Sequence, residues 1–211
     1  MRDHDSFSPI FAAALRGGEA RLHGLGDLSR TVPVPNWTRD ADPIDREFLA
    51  HCDGATIDIG CGPGRMAAAL AETGATVLGI DIVVEAVEQT LGRGAAALRR
   101  NVFERVPGEG RWDTALLADG NVGIGGDPAH LLNRVRQVID PRGRIVMEVA
   151  APGVGSGSWQ VSLECDGRRS APFSWAVVDA DDVADLAAEA GLRVACCHPH
   201  DDRWCVLLEA A

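Results

Sequence analysis

The stretch Ile57-Asp58-Ile59-Gly60-Cys61-Gly62-Pro63-Gly64-Arg65 limits the folds open to this chain more than any other. A β-rich apolar run ends in three closely spaced glycines, and an Ala-rich helical segment follows at once, Met66 to Glu72. Glycine lets the backbone turn sharply and lets a ligand lie against bare peptide N–H groups. A second apolar strand, Ala75 to Ile80, ends in Asp81, 21 residues past Gly60. An acid at the tip of a second strand, about 20 residues beyond such glycines, is placed to accept hydrogen bonds from ribose hydroxyls. Together the two features predict a chain that binds a nucleoside.

The spacing narrows the choice of nucleoside. A dinucleotide fingerprint wants G-x-G-x-x-G. Here the order is Gly60-x-Gly62-x-Gly64, and Arg65 stands where the third dinucleotide glycine would be. Asp58 precedes the first glycine by two residues. A carboxylate there repels a pyrophosphate but can hold an ammonium, directly or through water. The pattern D-x-G-x-G-x-G, followed by an acid-tipped second strand, resembles the class I S-adenosylmethionine (SAM) dependent methyltransferases. The resemblance implies that the glycines face the amino acid end of SAM and that Asp81 holds its ribose. S-adenosylhomocysteine would be the product.

From residue 55 onward apolar runs and amphipathic runs alternate. Strands are expected at 55–59, 76–80, 96–99, 113–118 and 144–149, and helices at 64–73, 83–92 and 128–139. Such alternation predicts an α/β fold with a mostly parallel sheet and helices on both faces. Asp140-Pro141-Arg142-Gly143 reads as a turn before the fifth of these strands. Further strands at 159–165 and 172–178 flank Asp166-Gly167-Arg168-Arg169, a hairpin turn signal. A helix at 181–190 and two antiparallel strands, 192–197 and 203–209, close the chain. With the resemblance, this layout implies a Rossmann-like three-layer sandwich: seven strands, mostly parallel, the last antiparallel. The domain proper is expected over 51–211, with 159–178 inserted at the ligand end of the sheet as a lid. Residues 1–50 are expected to form a cap, with helices opened by Ser8-Pro9 and Asp42-Pro43 and an irregular hairpin over 20–35 around Gly24 to Asp27.

Composition sets the partners. The net charge is −11, and all 20 basic residues are arginine. Such a surface repels duplex nucleic acid as a whole, and Arg99, Arg100 and Arg105 form only a small cluster. A small-molecule substrate is therefore expected, with no nucleic-acid and no membrane partner. No apolar run approaches the roughly 20 residues that cross a bilayer. Met1 to Phe7 lacks the apolar core of a secretion signal, so a cytoplasmic protein is expected, as a monomer or homodimer. The six cysteines, at 52, 61, 165, 196, 197 and 205, form no C-x-x-C pair, so no zinc site is expected.

In open α/β sheets ligands bind beyond the C-terminal strand ends. That rule names Asp58, Gly60, Cys61, Gly62 and Arg65 after the first strand, and Asp81 with apolar Ile82 after the second. It names Asn101 and Val102 after the third, with the Asn101 amide oxygen able to accept from an adenine amino group. After the fourth come Asp119 and Asn121, in a run rich in glycine. A methyl sulfonium is already activated, so a general base is needed only if the acceptor must lose a proton. His198 and His200, expected in the last turn, are the candidates for it, together with Asn121 as a polar group near the reacting atoms and His130 further off. Trp37, Trp159 and Trp175 either wall an acceptor pocket or anchor the cap and hairpin. No N-P-P-[YF] sequence follows the fourth strand, which disfavours an amide or nucleobase nitrogen acceptor and leaves oxygen as the expected one. Two other readings stay open: a protein that binds SAM without turnover, and a nicotinamide-dependent oxidoreductase. The second is opposed by Arg65 and by a chain with neither tyrosine nor lysine.

Overall fold

A computed structural model describes residues 6–25 and 30–211. The reading of Met1 to Asp5, and the tip of the hairpin expected around Gly24 to Asp27, fall wholly or partly outside these residues. The chain first forms α1 (Phe7–Leu15), β1 (Ala20–His23), β2 (Arg30–Thr31), α2 (Val34–Thr38) and α3 (Pro43–Leu49). The regular alternation follows as β3 (Thr56–Ile59), α4 (Arg65–Glu72), β4 (Val77–Asp81), α5 (Val84–Gly92), β5 (Ala97–Arg99), β6 (Trp112–Leu117), α6 (Pro128–Val138) and β7 (Ile139–Val149). The rest comprises β8 (Gly157–Cys165), β9 (Arg168–Arg169), β10 (Phe173–Val177), α7 (Val183–Glu189), β11 (Leu192–His200) and β12 (Arg203–Ala210).

The main sheet has seven strands in the order β11-β12-β7-β6-β3-β4-β5. From β7 to β5 every pairing is parallel, whereas β12 runs antiparallel to both β7 and β11. The period of two along a strand divides its side chains between the faces. Leu116 and Val146 pack with Phe48, Met66 and Leu70 from α3 and α4. Their neighbours Ala115, Leu117, Ile145 and Met147 pack with Leu131, Leu132 and Val135 of α6. The outcome is the Rossmann-like three-layer α/β sandwich the sequence implied. Among the described residues no helix is long and apolar enough to cross a membrane.

A second sheet, in the order β10-β8-β1-β2, joins the N-terminal segment to the inserted hairpin. Strand β1 pairs antiparallel with β8, Leu22 opposite Leu163. Helix α1 covers this sheet, burying Ile10, Ala14 and Leu15 with Leu163 and Cys165. Strands β1 and β2 of the cap and the inserted hairpin thus share one sheet, whereas α3 packs on α4 and the main sheet.

Four expectations change. Helix α1 starts at Phe7 with Ser6 as its N-cap, so Ser8-Pro9 lie within its first turn instead of opening it. Residues 34–35 belong to a helix, not to a hairpin, because Pro35 with its fixed φ favours the first turn of α2. Asp140 to Gly143 form no separate turn: they bulge out of β7, whose register against β6 shifts between Trp112 and Thr114. The Arg142 N–H donates to Asp140 Oδ1 at 2.8 Å inside that bulge. His198 and His200 lie on β11, not in the last turn, because the strand runs on to residue 200. It is an edge strand, where Pro199 costs no ladder partner.

Candidate cofactor and active site

The glycine turn leaves β3 with its backbone tied to β4. The N–H groups of Gly60 and Cys61 donate to the Ile80 carbonyl at 2.8 and 3.1 Å. Gly64 has φ 86, and a Cβ there would lie 2.6 Å from Thr90 Oγ1, so only glycine lets α5 approach. Gly62 differs. Its φ is 53, yet a Cβ there would meet nothing within 4 Å. The closed side of the turn packs on α5, and the open side at Gly62 is where a ligand can lie against the backbone.

Asp81 frames that opening, and Asp58 lies buried on β3 four residues before it. Asp81 Oδ2 accepts from Gly62 N at 3.1 Å, and Oδ1 accepts from Val83 N at 2.8 Å. Burial raises its carboxyl from the ordinary range, opposed by the N–H groups of Val83, Gly62 and Ile82. Ile82 beside it is 44% exposed, an apolar platform at the strand tip. Asp58 is only 2% exposed, and its Oδ2 is buried with no hydrogen-bond partner. Burial above all pushes its carboxyl up to about 7; the Asp119 charge adds to this and Arg65 opposes it. A buried acceptor with nothing to accept from is costly unless a ligand supplies the donor.

Arg65, the first residue of α4, is 3% exposed. It pairs with Asp45 and bidentately with Asp119, at 2.6 and 2.7 Å. Asp45 is fully buried, takes part in the capping box of α3 and also binds Arg39 and Arg203. Arg203 in turn grips Glu148 through two nitrogens, at 2.9 and 2.6 Å. Glu148 Oε2 accepts from Asp119 N at 2.7 Å. This chain of charges holds Asp119 at φ 52, a left-handed backbone that an aspartate adopts only when its surroundings fix it. Its members pull Asp45 far below the usual carboxylate range despite burial, through Arg65 and Arg203.

The remaining candidates divide. Asn121 Nδ2 donates to the carbonyls of Ile59 and Gly60 at 3.0 and 2.9 Å, which ties the exit of β6 to the glycine turn. Asn101 Oδ1 accepts from Phe103 N at 3.0 Å, so one of its lone pairs is already used. Val102 and Cys61 are buried. Asp58, Gly60, Cys61, Gly62, Asp81, Asp119 and Asn121 therefore gather at one edge of the sheet. His200 instead faces Glu47 and His51, and His198 stacks on His51. Trp37 packs with Phe11, while Trp159 and Trp175 are direct cross-strand partners on β8 and β10. Trp175 bridges to Ile124 in the loop after β6. Asp45, Thr90, Glu148 and Arg203 escaped the sequence reading. Only Asp45 carried a signal, the D-P-x-D capping pattern at 42–45.

The model of the methyltransferase domain family matches residues 41–196. The chain belongs to that family. Among solved structures, a SAM-dependent methyltransferase from Bacteroides fragilis bound to S-adenosylhomocysteine superposes with a TM-score of 0.80. It is 23% identical, over 98% of this chain and 95% of that one. The CcbJ methyltransferase from Streptomyces caelestis gives 0.64 at 16% identity, over 81% and 90%. The 1,6-didemethyltoxoflavin-N1-methyltransferase from Burkholderia thailandensis gives 0.60 at 19% identity, over 83% and 81%. No curated protein matches by sequence. The fold of this methyltransferase is thus that of SAM-dependent enzymes. Its own residues also fit such a cofactor: the unpartnered Asp58 Oδ2 suits an ammonium, the open side of Gly62 suits a chain laid against the backbone, and Asp81 beside Ile82 suits a ribose and a base.

Proposed function

We propose that this methyltransferase takes SAM and methylates a small, apolar or aromatic molecule, at oxygen. The buried, unpartnered Asp58 Oδ2, on the strand that leads into the open Gly62 turn, carries this reading, because it calls for a cationic ligand. When bound, SAM supplies an activated methyl group on a sulfonium. Asp58 holds the ammonium of its amino acid end. Asp81 keeps lone pairs for ribose hydroxyls while its bonds to Gly62 N and Val83 N fix it in place. Asn121 and the Arg65–Asp119 pair hold the β6 exit against the glycine turn, so the acceptor side keeps its shape.

The acceptor lies, in this reading, between the loop after β6 and the second sheet. Gly123 and Gly126 let β10 come close there: a Cβ on Gly126 would lie 2.6 Å from Ser174. The half-buried pair Trp159 and Trp175 offers a flat wall. The acidic surface and the missing N-P-P-[YF] sequence favour a small, non-nucleic acceptor. The protein then works in the cytoplasm, as a monomer or homodimer.

Calorimetry with SAM, S-adenosylhomocysteine and NADH is the first test, followed by S-adenosylhomocysteine release from SAM across phenolic, carboxylate and amine acceptors. Binding of both adenosyl compounds without NADH is expected. Binding of NADH alone would overthrow the reading, and SAM binding without turnover on any acceptor would favour a silent binding protein.

A further inference from the structure

We propose that His51, His200 and Cys205 form a binding site for one divalent transition-metal ion of zinc-like softness. A ring nitrogen from each histidine and the cysteine sulfur all lie within 4.8 Å of one another. The three come from separate parts of the chain. His51 follows α3, His200 ends β11 and Cys205 lies on β12. In the β11–β12 register His198 faces Cys205 and His200 faces Arg203. The strand period of two therefore puts both histidines and the cysteine on one face of the sheet. No spacing in the sequence announces this site, which is why cysteine pairs alone gave no hint of it.

The ring of His200 is set up as a ligand. Its Nδ1 lies 3.2 Å from Glu47 Oε2, and its Nε2 is buried with no partner. A carboxylate on the far nitrogen of a metal-bound histidine fixes the tautomer and makes the ligand more basic. Plain packing accounts for the Glu47 contact but leaves Nε2 without a donor or acceptor. The donor set, two imidazoles and a thiolate, selects zinc-like ions over magnesium or calcium. Bond lengths of about 2.1 Å to nitrogen and 2.3 Å to sulfur put tetrahedral ligand atoms roughly 3.5 Å apart, so the side chains must close by about 1 Å. The fourth position is left to water or to His198, whose ring stacks on His51 at 6.5 Å.

The surroundings tolerate the ion. The nearby Arg203 is already neutralised by Asp45 and Glu148. The Cys205 proton leaves to solvent as the ion binds, and the ion's own charge stabilises the thiolate. The ion would clip the exit of the cap helix to the last hairpin, across the joint that Asp45 and Arg203 also hold. The site rests on its own geometry and is independent of the methyl-transfer reading.

The full chain, stripped with a chelator, is titrated with Co²⁺ alone and then with Zn²⁺. One equivalent of Co²⁺ should give a thiolate-to-cobalt charge-transfer band that Zn²⁺ displaces, and Zn²⁺ should raise Tm. His51→Asn, His200→Asn and Cys205→Ser should each abolish the band. The two histidine variants decide the matter should Cys205→Ser fail to fold. Glu47→Gln should weaken the affinity by about 10–100-fold. Ser at both Cys196 and Cys197, the nearest other thiols on β11, should leave the band intact. A missing band, a band that outlives the loss of His200 or Cys205, or one that vanishes with Cys196 and Cys197 overturns the proposal.

Discussion

Asp58 makes the binding of SAM a proton-linked event. Its carboxyl is pushed up to about 7, chiefly by burial. At pH 6 it therefore carries roughly 0.9 of a proton in the free protein. An α-amino group, with a pKa of about 7.7–8.0, is fully ammonium at that pH and adds nothing to the count. An ammonium beside Asp58 favours the carboxylate, so each cofactor bound at pH 6 should expel close to one proton. Calorimetry at pH 6 in two buffers of different ionisation enthalpy reads that number directly. Asp58→Asn should expel none and should weaken SAM by about 1.5–3 kcal/mol, roughly 10–150-fold, through loss of a charge-assisted bond.

The same carboxyl acts on stability with the opposite sign from most acids. Its folded value, about 7, lies above the ordinary 3.8. Between these pH values the native state binds more protons than the unfolded chain, so this group's contribution falls as pH rises. The fall, about 1.4 kcal/mol per unit, amounts to roughly 4 kcal/mol in all and is complete just above pH 7. Urea unfolding of native and Asp58→Asn protein should diverge by about 2–3 kcal/mol between pH 5 and 8, the variant gaining. Proton release that persists in Asp58→Asn, or none in the native protein at pH 6, would show that Asp58 does not meet the cofactor's ammonium.

Three further outcomes are expected. Asp81→Ala should weaken SAM by about 1–3 kcal/mol and lower stability as well, because its bonds to Gly62 N and Val83 N are lost; unchanged affinity in a folded variant removes Asp81 from the site. Gly62→Ala should fold with a loss of about 1 kcal/mol from its left-handed backbone yet bind SAM poorly, whereas Gly64→Ala should be destabilised far more by its overlap with Thr90; calorimetry and thermal unfolding of the pair separate the two effects. Asp45→Asn should cost about 3 kcal/mol by removing the buried carboxylate that Arg65 and Arg203 share, although each keeps a second partner in Asp119 or Glu148, and should lower Tm by roughly 6–12 °C. Native protein should lose the same contribution as acid, below the ordinary carboxylate range, protonates Asp45, and a flat Tm in that variant would mean the arginines find other partners.

The division between what the sequence disclosed and what it hid follows the range of the interactions. The Asp42 cap depends on residues a few positions away, and the Gly60–Gly64 turn with Asp81 lies within one strand-helix-strand unit whose spacing is regular, so spacing alone exposes them. The strand and helix repeat was legible for the same reason, since periods of 2 and 3.6 are written within each element. Arg65 shows where that ends. The motif placed it at the start of α4, but its partners are 20 and 54 residues away, and no spacing rule points from one to the other. The pairing of β1 with β8 is longer still, Leu22 with Leu163, and only the finished packing of α1 reveals it. That pairing changes the meaning of the inserted hairpin. A lid needs a surface it can leave, but β8 supplies the ladder partner of β1 and buries Leu163 and Cys165 under α1. Opening by the whole hairpin would break the second sheet, so any movement that admits an acceptor must be confined to the stretch around Trp159 and Trp175, beyond the cover of α1, or must carry the cap with it.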